Sequence, residues 1–193
     1  MAAELQYWTA VSATKPKRIE GHTSNVESPI LYSQFINATL CSNDTAGDTV
    51  IIPHKIPNPL FINAQPTELN SGNCLHGNGT TVGAHIADPA SSPTQITTAA
   101  TAGASTVVLT GGSALDDVYN FCWIDIRYSN GNIQTVQVLD YVGSTKVATL
   151  AEPLVQSIAT TGSYWTYRGS VMTLPTTSTT PTFKFEVIGT FQN

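Results

Sequence analysis

A period-two alternation of apolar and polar residues, interrupted by turn-forming clusters, is the sequence feature that most constrains this chain. It is clearest from Thr97 to Gly169, where short apolar runs alternate with groups of Gly, Asn, Asp and Ser. Successive side chains of a β-strand point to opposite faces, whereas an amphipathic helix needs apolar residues at a spacing near 3.6. The alternation therefore predicts antiparallel strands joined by tight turns, with no helix of useful length in this segment.

The run from Tyr119 to Tyr128 predicts one strand with an apolar face and a mixed face. The apolar face would carry Cys122, Ile124, Ile126 and Tyr128, and the mixed face would carry Phe121, Trp123, Asp125 and Arg127.

A hairpin turn is predicted at Asn130-Gly131, because this pair tolerates the positive φ angles that such turns require. The return strand, from Ile133 to Val142, would place Val136, Val138 and Val142 on one face and Ile133, Gln137, Leu139 and Tyr141 on the other. Further strands are predicted at Ser105–Thr110, Thr145–Leu150 and Ser163–Arg168, which completes a β-meander.

The whole chain of 193 residues is long enough to bury a core. We predict an all-β protein, either an antiparallel β-sandwich or a β-barrel-like meander, with an extended N-terminal arm. Its three parts would be the arm (1–28), a β-rich region with long loops (29–96) and the meander with a C-terminal strand (97–193). The strands predicted outside the meander are Ile30–Ile36, Thr49–Ile52, Pro59–Asn63 and Thr182–Gly189, the last with Phe183, Phe185 and Val187 on one face.

The N-terminal arm is a candidate interaction segment. Tyr7 and Trp8 are large aromatics that are costly to leave in water, and Lys15, Lys17 and Arg18 form a basic cluster. Two interpretations stay open: the arm docks on a neighbouring acidic protein surface, or it adds one strand to the sheet of its own chain. The candidate interaction residues are Tyr7, Trp8, Lys15, Lys17, Arg18, Phe183 and Phe185.

Charge is scarce, since only 11% of the residues are Asp, Glu, Lys or Arg and the net charge is −5. No Lys or Arg occurs between Lys55 and Arg127, so this stretch cannot neutralise a row of phosphates and we expect no nucleic-acid partner. No apolar run reaches the length of about 18 residues that a membrane helix needs, and Met1 to Glu4 do not resemble a signal peptide. We expect a soluble chain with no membrane partner, whose weakly charged surface suits association with other subunits.

No residue pattern predicts catalysis or a bound cofactor. The three cysteines, Cys41, Cys74 and Cys122, have no zinc-type spacing, and we expect reduced thiols. A metal site of Cys74, His76, His85 and Asp88 is the alternative to simple loop residues, and its spacing matches no recognised site. Asp116-Asp117 would serve a turn or bind Ca²⁺ weakly. We therefore expect a protein that is not an enzyme and that has no cofactor.

The segment 97–169 resembles a small β module that recurs in virion proteins of tailed bacteriophages. The elements that carry the resemblance are Thr98-Ala99-Ala100-Thr101, Val107-Val108-Leu109, Asp116-Asp117-Val118-Tyr119, Tyr141 to Thr149 (YVGSTKVAT) and Ser163-Tyr164. Where the module commonly has a Gly-rich hairpin with Gln-Arg and a later Trp, this chain has Gln134 to Gln137 and Leu154. The module has a structural role in such proteins.

The resemblance implies a phage particle assembled in bacterial cytoplasm. The first functional hypothesis is a capsid decoration protein on the capsid surface, a homotrimer that binds the major capsid protein and stabilises the head through many weak contacts. The second is a tail-associated or fibre-type protein that binds a host-surface glycan. Its aromatic platform would be Trp123, Tyr128, Trp165 and Tyr167.

Overall fold

The computed structural model describes residues 5–19, 30–41, 49–66, 93–173 and 182–191, and these residues form strands and turns without a helix. This confirms the predicted all-β class. The strands are β1 (Leu5–Gln6), β2 (Trp8–Ala13), β3 (Lys17–Arg18), β4 (Tyr32–Leu40), β5 (Thr49–Pro53), β6 (Asn58–Pro66), β7 (Thr94–Gln95), β8 (Thr106–Val108), β9 (Trp123–Arg127), β10 (Ile133–Val142), β11 (Val147–Leu150), β12 (Tyr164–Thr173) and β13 (Thr182–Thr190).

The chain divides into two compact units. The first unit comprises Met1–Asp88 and Ser170–Asn193, and the second comprises Pro89–Gly169. The predicted meander region, 97–193, included β13, whereas the structure pairs this strand with β4 and β6 of the first unit. The strands that pair with β13 are distant in the sequence, and the residue pattern within one strand does not indicate which strands it pairs with.

The first unit is a β-sandwich. Its five-stranded sheet has the order β2-β4-β13-β6, with β3 also paired to β4, and every neighbouring pair is antiparallel. The inner face of this sheet buries Ile36, Ala38 and Leu40 from β4 together with Phe183, Phe185 and Val187 from β13. The predicted face of the C-terminal strand is thereby confirmed. Within this unit β5 pairs in parallel with β1.

The second unit is built around a Greek key. Its strands lie in the order β8-β11-β10-β9-β12, and β7 pairs with β12. Strands β9, β10 and β11 follow one another as hairpins, and β12 then returns to lie beside β9, antiparallel to it. A fourth strand that returns beside the first of three defines a Greek key, so the prediction of a simple meander was wrong in this connection.

The predicted assignment of side chains to the two faces is confirmed for β9, but it is wrong for β10 beyond its middle. Cys122, Ile124, Ile126 and Tyr128 are all buried, as predicted. On β10 the register with β11 shifts between Val138 and Asp140, which marks a β-bulge. A bulge inserts one extra residue and reverses the alternation beyond it.

As a result of this bulge, Tyr141 is buried and Val142 is exposed, the reverse of the prediction. A second difference lies before β9, where Tyr119 to Cys122 form a turn and the strand begins only at Trp123. In that turn Phe121 has a positive φ of 68°.

The hairpin between β9 and β10 has the predicted turn at Asn130-Gly131. Gly131 adopts a φ of 89°, and its N–H donates to the carbonyl of Tyr128 at 2.9 Å. The N–H of Tyr128 in turn donates to the carbonyl of Asn132 at 2.8 Å. This pair of bonds fits a type I turn followed by a glycine bulge, in which only the glycine needs a positive φ.

Gly143 holds the turn after β10 against an earlier segment, which gives a test of the fold. A Cβ at this position would lie 2.4 Å from the carbonyl carbon of Leu115 and 2.5 Å from the carbonyl oxygen of Ala114. We predict that Gly143→Ala lowers the free energy of unfolding by about 3 kcal/mol, since rigid backbone must move. At Gly131 a Cβ meets nothing within 4 Å, so Gly131→Ala would cost about 1 kcal/mol from its φ alone. Equal losses in urea denaturation would contradict this packing.

Candidate interaction surfaces

Three of the predicted interaction residues, Trp8, Phe183 and Phe185, lie together in the interior of the first unit. All three are buried. The Trp8 ring packs edge-on against both phenylalanine rings, with centroid distances of 6.0 and 5.7 Å. Its Nε1–H donates to the carbonyl oxygen of Ile51 on β5 at 2.7 Å. These aromatic side chains are thus shielded from water by their own chain, and they have almost no exposed surface with which to contact a partner.

The other four candidates, Tyr7, Lys15, Lys17 and Arg18, are exposed. Residues 5–19 do not form a free arm, because β1 pairs with β5, and β2 and β3 both pair with β4. Of the two interpretations of this segment, the described residues show the added strands. Lys17 and Arg18 form β3 opposite Ser33 and Tyr32, so the basic cluster lies at one edge of the five-stranded sheet.

The outer face of the five-stranded sheet carries an apolar patch that the sequence analysis did not identify. On it Phe35 is 52% exposed and Phe61 57%, beside the half-buried Ile188, and Leu60, which is 65% exposed, precedes Phe61 where the register of β6 with β13 shifts. Phe61 on β6 lies opposite Ile188 on β13. Phe35 lies opposite Glu186, one diagonal step from Ile188 and within reach of an aromatic side chain.

We call Phe35, Leu60, Phe61 and Ile188 the outer patch. The sequence does contain a signal for this patch, because β4 and β13 carry apolar residues on both faces. Phe35 alternates with the buried Ile36, and Ile188 alternates with the buried Val187. Single exposed apolar residues are ordinary, but neighbours on three adjacent strands of one face are typical of a surface that another molecule covers.

The four aromatics of the predicted glycan platform do not share one exposed face. Tyr128 and Trp165 are buried in the second unit, and Trp123 and Tyr167 are half-buried. The Tyr128 hydroxyl donates to Oε1 of Gln134, and Nε1–H of Trp165 donates to the carbonyl of Thr110 at 2.9 Å. Stacking on a sugar needs an open ring face, which the buried pair lacks.

A buried aromatic cluster surrounds a thiol in the second unit. The Tyr119 ring lies edge-on to Tyr141, with a centroid distance of 4.7 Å, and edge-on to Trp165, with a centroid distance of 5.6 Å. Burial raises the pKa of the Cys122 thiol to about 12. Burial also raises the pKa of Tyr141, whose hydroxyl donates to the Ser113 carbonyl at 2.6 Å. Since a reactive cysteine needs its thiolate, Cys122 is a packing residue.

The paired carboxylates of Asp116 and Asp117 hold turns. Oδ1 of Asp116 accepts the N–H of Gly143 at 2.7 Å, and Oδ1 of Asp117 accepts from Nδ2 of Asn120 at 2.8 Å. Asp117 has a positive φ of 65°, a conformation that Asp tolerates better than most residues. Of the two roles predicted for Asp116 and Asp117, the geometry therefore supports the one in turns.

The outward face of β9 carries an ion pair that joins three strands. Nε of Arg168 on β12 donates to both carboxylate oxygens of Asp125, at 3.0 and 2.9 Å, and one of these oxygens accepts from Oγ1 of Thr135 on β10 at 2.6 Å. Because each polar group in this set has a partner within the sheet, the set fastens the Greek key and leaves little bonding capacity for a ligand.

A serine and a histidine also meet in the first unit. Nε2 of His54 lies 2.9 Å from Oγ of Ser170, the separation of a nucleophile and its base. Both side chains have no exposed surface, so no substrate reaches the hydroxyl. The pair joins the end of β5 to β12 within the core.

The remaining candidates for chemistry are the cysteines and the possible metal site, and only some of these residues are among those that the structure describes. Cys41 and Cys122 are free, buried thiols. Cys74, His76, His85 and Asp88 lie outside the described residues, and the described ones contain no group of three His, Cys, Asp or Glu that could hold a metal. The same ranges contain no helix that could span a membrane.

Comparison with known proteins gives no relative. No family model matches this chain, and neither a curated protein nor a solved structure shows a significant match to it.

The Trp8 contacts predict a stability effect that a docking aromatic would not have. Trp8→Phe removes the hydrogen bond to Ile51 and leaves a buried carbonyl without its donor. We expect it to lower the free energy of unfolding by about 2 kcal/mol. The matched variant Tyr7→Phe, at a residue that is 36% exposed, should change it by less than about 0.5 kcal/mol. Unchanged unfolding of Trp8→Phe in urea would contradict the interior position.

The tyrosine cluster predicts a loss of stability in alkali. Burial raises the pKa of Tyr167 from its ordinary value of 10.0 to about 12 and also raises that of Tyr119. The folded state therefore holds the Tyr167 phenol neutral between pH 10 and about 12, while the unfolded chain loses its proton, and the raised pKa of Tyr119 acts in the same direction. The stabilisation is complete below pH 10 and declines as the pH rises through this window.

This effect is measured by urea denaturation at pH 8 to 11.5. Tyr119→Phe should reduce the alkaline slope of the free energy of unfolding. An identical slope in the parent and in Tyr119→Phe would show that Tyr119 does not couple folding to pH.

Proposed function

We propose that this chain is a non-enzymatic structural protein of a tailed-bacteriophage virion, and specifically a capsid decoration protein. It would bind the major capsid protein at the capsid surface and stabilise the head, as a homotrimer. The setting rests on the resemblance of residues 97–169 to the phage module. All of those residues fall within the second unit, which also ends at Gly169.

The observation that carries the binding function is the outer patch. Three of its side chains are more than half exposed, and covering the exposed part of one such side chain contributes about 1–2 kcal/mol, since complete burial is worth about 1.5–3 kcal/mol. A single copy would bind the shell weakly through a surface of this kind. Repetition over the copies of a trimer would convert weak contacts into firm attachment.

The weak charge of the chain agrees with this function. Lys184 and Glu186, on the outer face of β13 beside the patch, carry opposite charges. Such a surface neither repels a neighbouring shell nor attracts nucleic acid, and its binding would change little with salt.

The test is to mix recombinant protein with capsids that lack it. We expect regular density on the head by electron microscopy and a higher melting temperature of the shell, because a ligand that binds only the assembled state stabilises it. Phe61→Ser should weaken head binding at least about tenfold, which corresponds to about 1.4 kcal/mol. Ile133→Ser, at an equally exposed residue of the second unit (59%), should bind as the parent does.

The proposal fails if the protein leaves heads bare. Binding to purified tails or to host glycans would instead support the second functional hypothesis. Equal binding by Phe61→Ser and Ile133→Ser would remove the outer patch from the interface even if heads were decorated.

A further inference from the structure

The turn between β9 and β10 exposes an asparagine directly before a glycine. Asn130 and Gly131 are both exposed, and a Cβ on Gly131 would meet nothing within 4 Å. Because glycine has no side chain, its backbone nitrogen is less hindered than that of any other residue. The turn thus leaves the amide carbon of one residue and the backbone nitrogen of the next open to reaction with each other.

A hydrogen bond within the turn folds the Asn130 side chain towards that nitrogen. Oδ1 of Asn130 accepts the N–H of Asn132 at 3.1 Å, which is the arrangement of an Asx turn. The ring that this bond closes contains both Cγ of Asn130 and the nitrogen of Gly131, and holding two reacting groups together favours their reaction. The N–H of Asn132 is also placed to stabilise the negative charge that develops on Oδ1 during an attack on Cγ.

Two other hydrogen bonds restrain this reaction. The N–H of Gly131 donates to the carbonyl of Tyr128 at 2.9 Å, so the nitrogen cannot lose its proton until this bond opens. Nδ2 of Asn130, which must leave, donates to Oε1 of Gln156 at 2.9 Å, in the loop that follows β11. Because both bonds lie at an exposed turn, they open without unfolding of the whole unit.

We propose that Asn130 is a site of spontaneous deamidation, and that the turn and Gln156 control its rate. Hydroxide removes the proton from the nitrogen of Gly131, which attacks Cγ of Asn130 and forms a carbon–nitrogen bond. The Cγ–Nδ2 bond breaks, and ammonia leaves with a proton taken from water, so that a succinimide ring remains. Water then opens the ring. Cleavage between the nitrogen and Cγ gives aspartate, and cleavage between the nitrogen and the backbone carbonyl carbon gives isoaspartate.

The two products change the turn in different ways. Both place a negative charge at an exposed position, and aspartate leaves the path of the backbone unchanged. Isoaspartate carries the main chain through Cγ, so the turn becomes one carbon atom longer. The N–H of Gly131 then loses its alignment with the Tyr128 carbonyl, and the end of the hairpin loosens. This change concerns the second unit alone and does not depend on the head-binding function.

The experiment incubates the full chain in mildly alkaline buffer, either folded or in guanidinium chloride, and digests samples with trypsin over time. Cleavage after Arg127 and Lys146 releases the peptide 128–146, which separates this site from the Asn-Gly pair at position 78. Liquid chromatography and mass spectrometry then follow the replacement of NH₂ by OH and resolve the two products. We expect both products at Asn130, formed about tenfold more slowly in the folded chain, where the two restraining bonds are present.

The same peptide contains an internal control. Asn132 precedes Ile133, whose branched side chain crowds the nitrogen that would attack. We expect no product at Asn132 during the time in which half of Asn130 reacts. In the isolated isoaspartate form, the Gly131 amide should exchange its hydrogen about tenfold faster than in the parent, since its bond to the Tyr128 carbonyl is lost.

Two variants test the role of Gln156. Gln156→Ala removes the bond to Nδ2 of Asn130, and it should speed deamidation of the folded chain about threefold without changing the rate in guanidinium chloride. The matched variant Gln137→Ala removes the bond of another glutamine, to the Phe121 carbonyl at 3.0 Å, at the opposite end of the β9–β10 pairing. It should deamidate as the parent does in both conditions.

The proposal is overturned if folding slows the reaction at Asn130 by more than roughly a hundredfold, since two surface hydrogen bonds do not supply that protection. Equal rates in the folded and the denatured chain would contradict control by the turn. Equal rates in the folded parent and in Gln156→Ala would contradict the part assigned to Gln156.

Discussion

The contact of the Trp8 indole with Phe183, Phe185 and the Ile51 carbonyl is the interaction on which the first unit depends. It joins an N-terminal strand, the C-terminal strand β13 and β5 in one buried cluster. Burial of three aromatic rings supplies a large apolar area, and the indole N–H satisfies a backbone acceptor that would otherwise be costly to bury. Segments from both ends of the sequence are therefore integral to one core.

That arrangement separates the residues that hold the fold from those available to partners. With Trp8, Phe183 and Phe185 in the interior, the part of the chain that the structure describes still offers the outer patch and the basic cluster of β3 for association. In the second unit, Asp125 and Arg168 pair with each other within the sheet. The tyrosines of the cluster pack against one another in the core. Among the described residues, the side chains with the most distinctive chemistry are thus used for stability.

The sequence predicted local features of this fold better than long-range ones. The inner faces of β9 and β13 followed directly from alternation, and the turn at Gly131 followed from residue chemistry. The bulge after Val138 could not be predicted, because an inserted residue leaves no mark in composition and reverses Tyr141 and Val142. The return of β12 beside β9 and the pairing of β13 with β4 depend on contacts between distant segments. The interior position of Trp8 could not be predicted for the same reason: its hydrophobicity was evident, but one of its partners, Phe183, is 175 residues away.

Hydrogen exchange of the free protein, followed by mass spectrometry, tests most directly whether the N-terminal strands are part of the core. The account predicts that the amides of β2 that bond to β4 exchange far more slowly than those of an unstructured peptide, because β2 is the edge strand of the sheet that encloses the aromatic cluster. Exchange of β2 at the rate of an unstructured peptide, with β13 still protected, would contradict it. The N-terminal segment would then be a free arm, and Trp8 would again be available for docking.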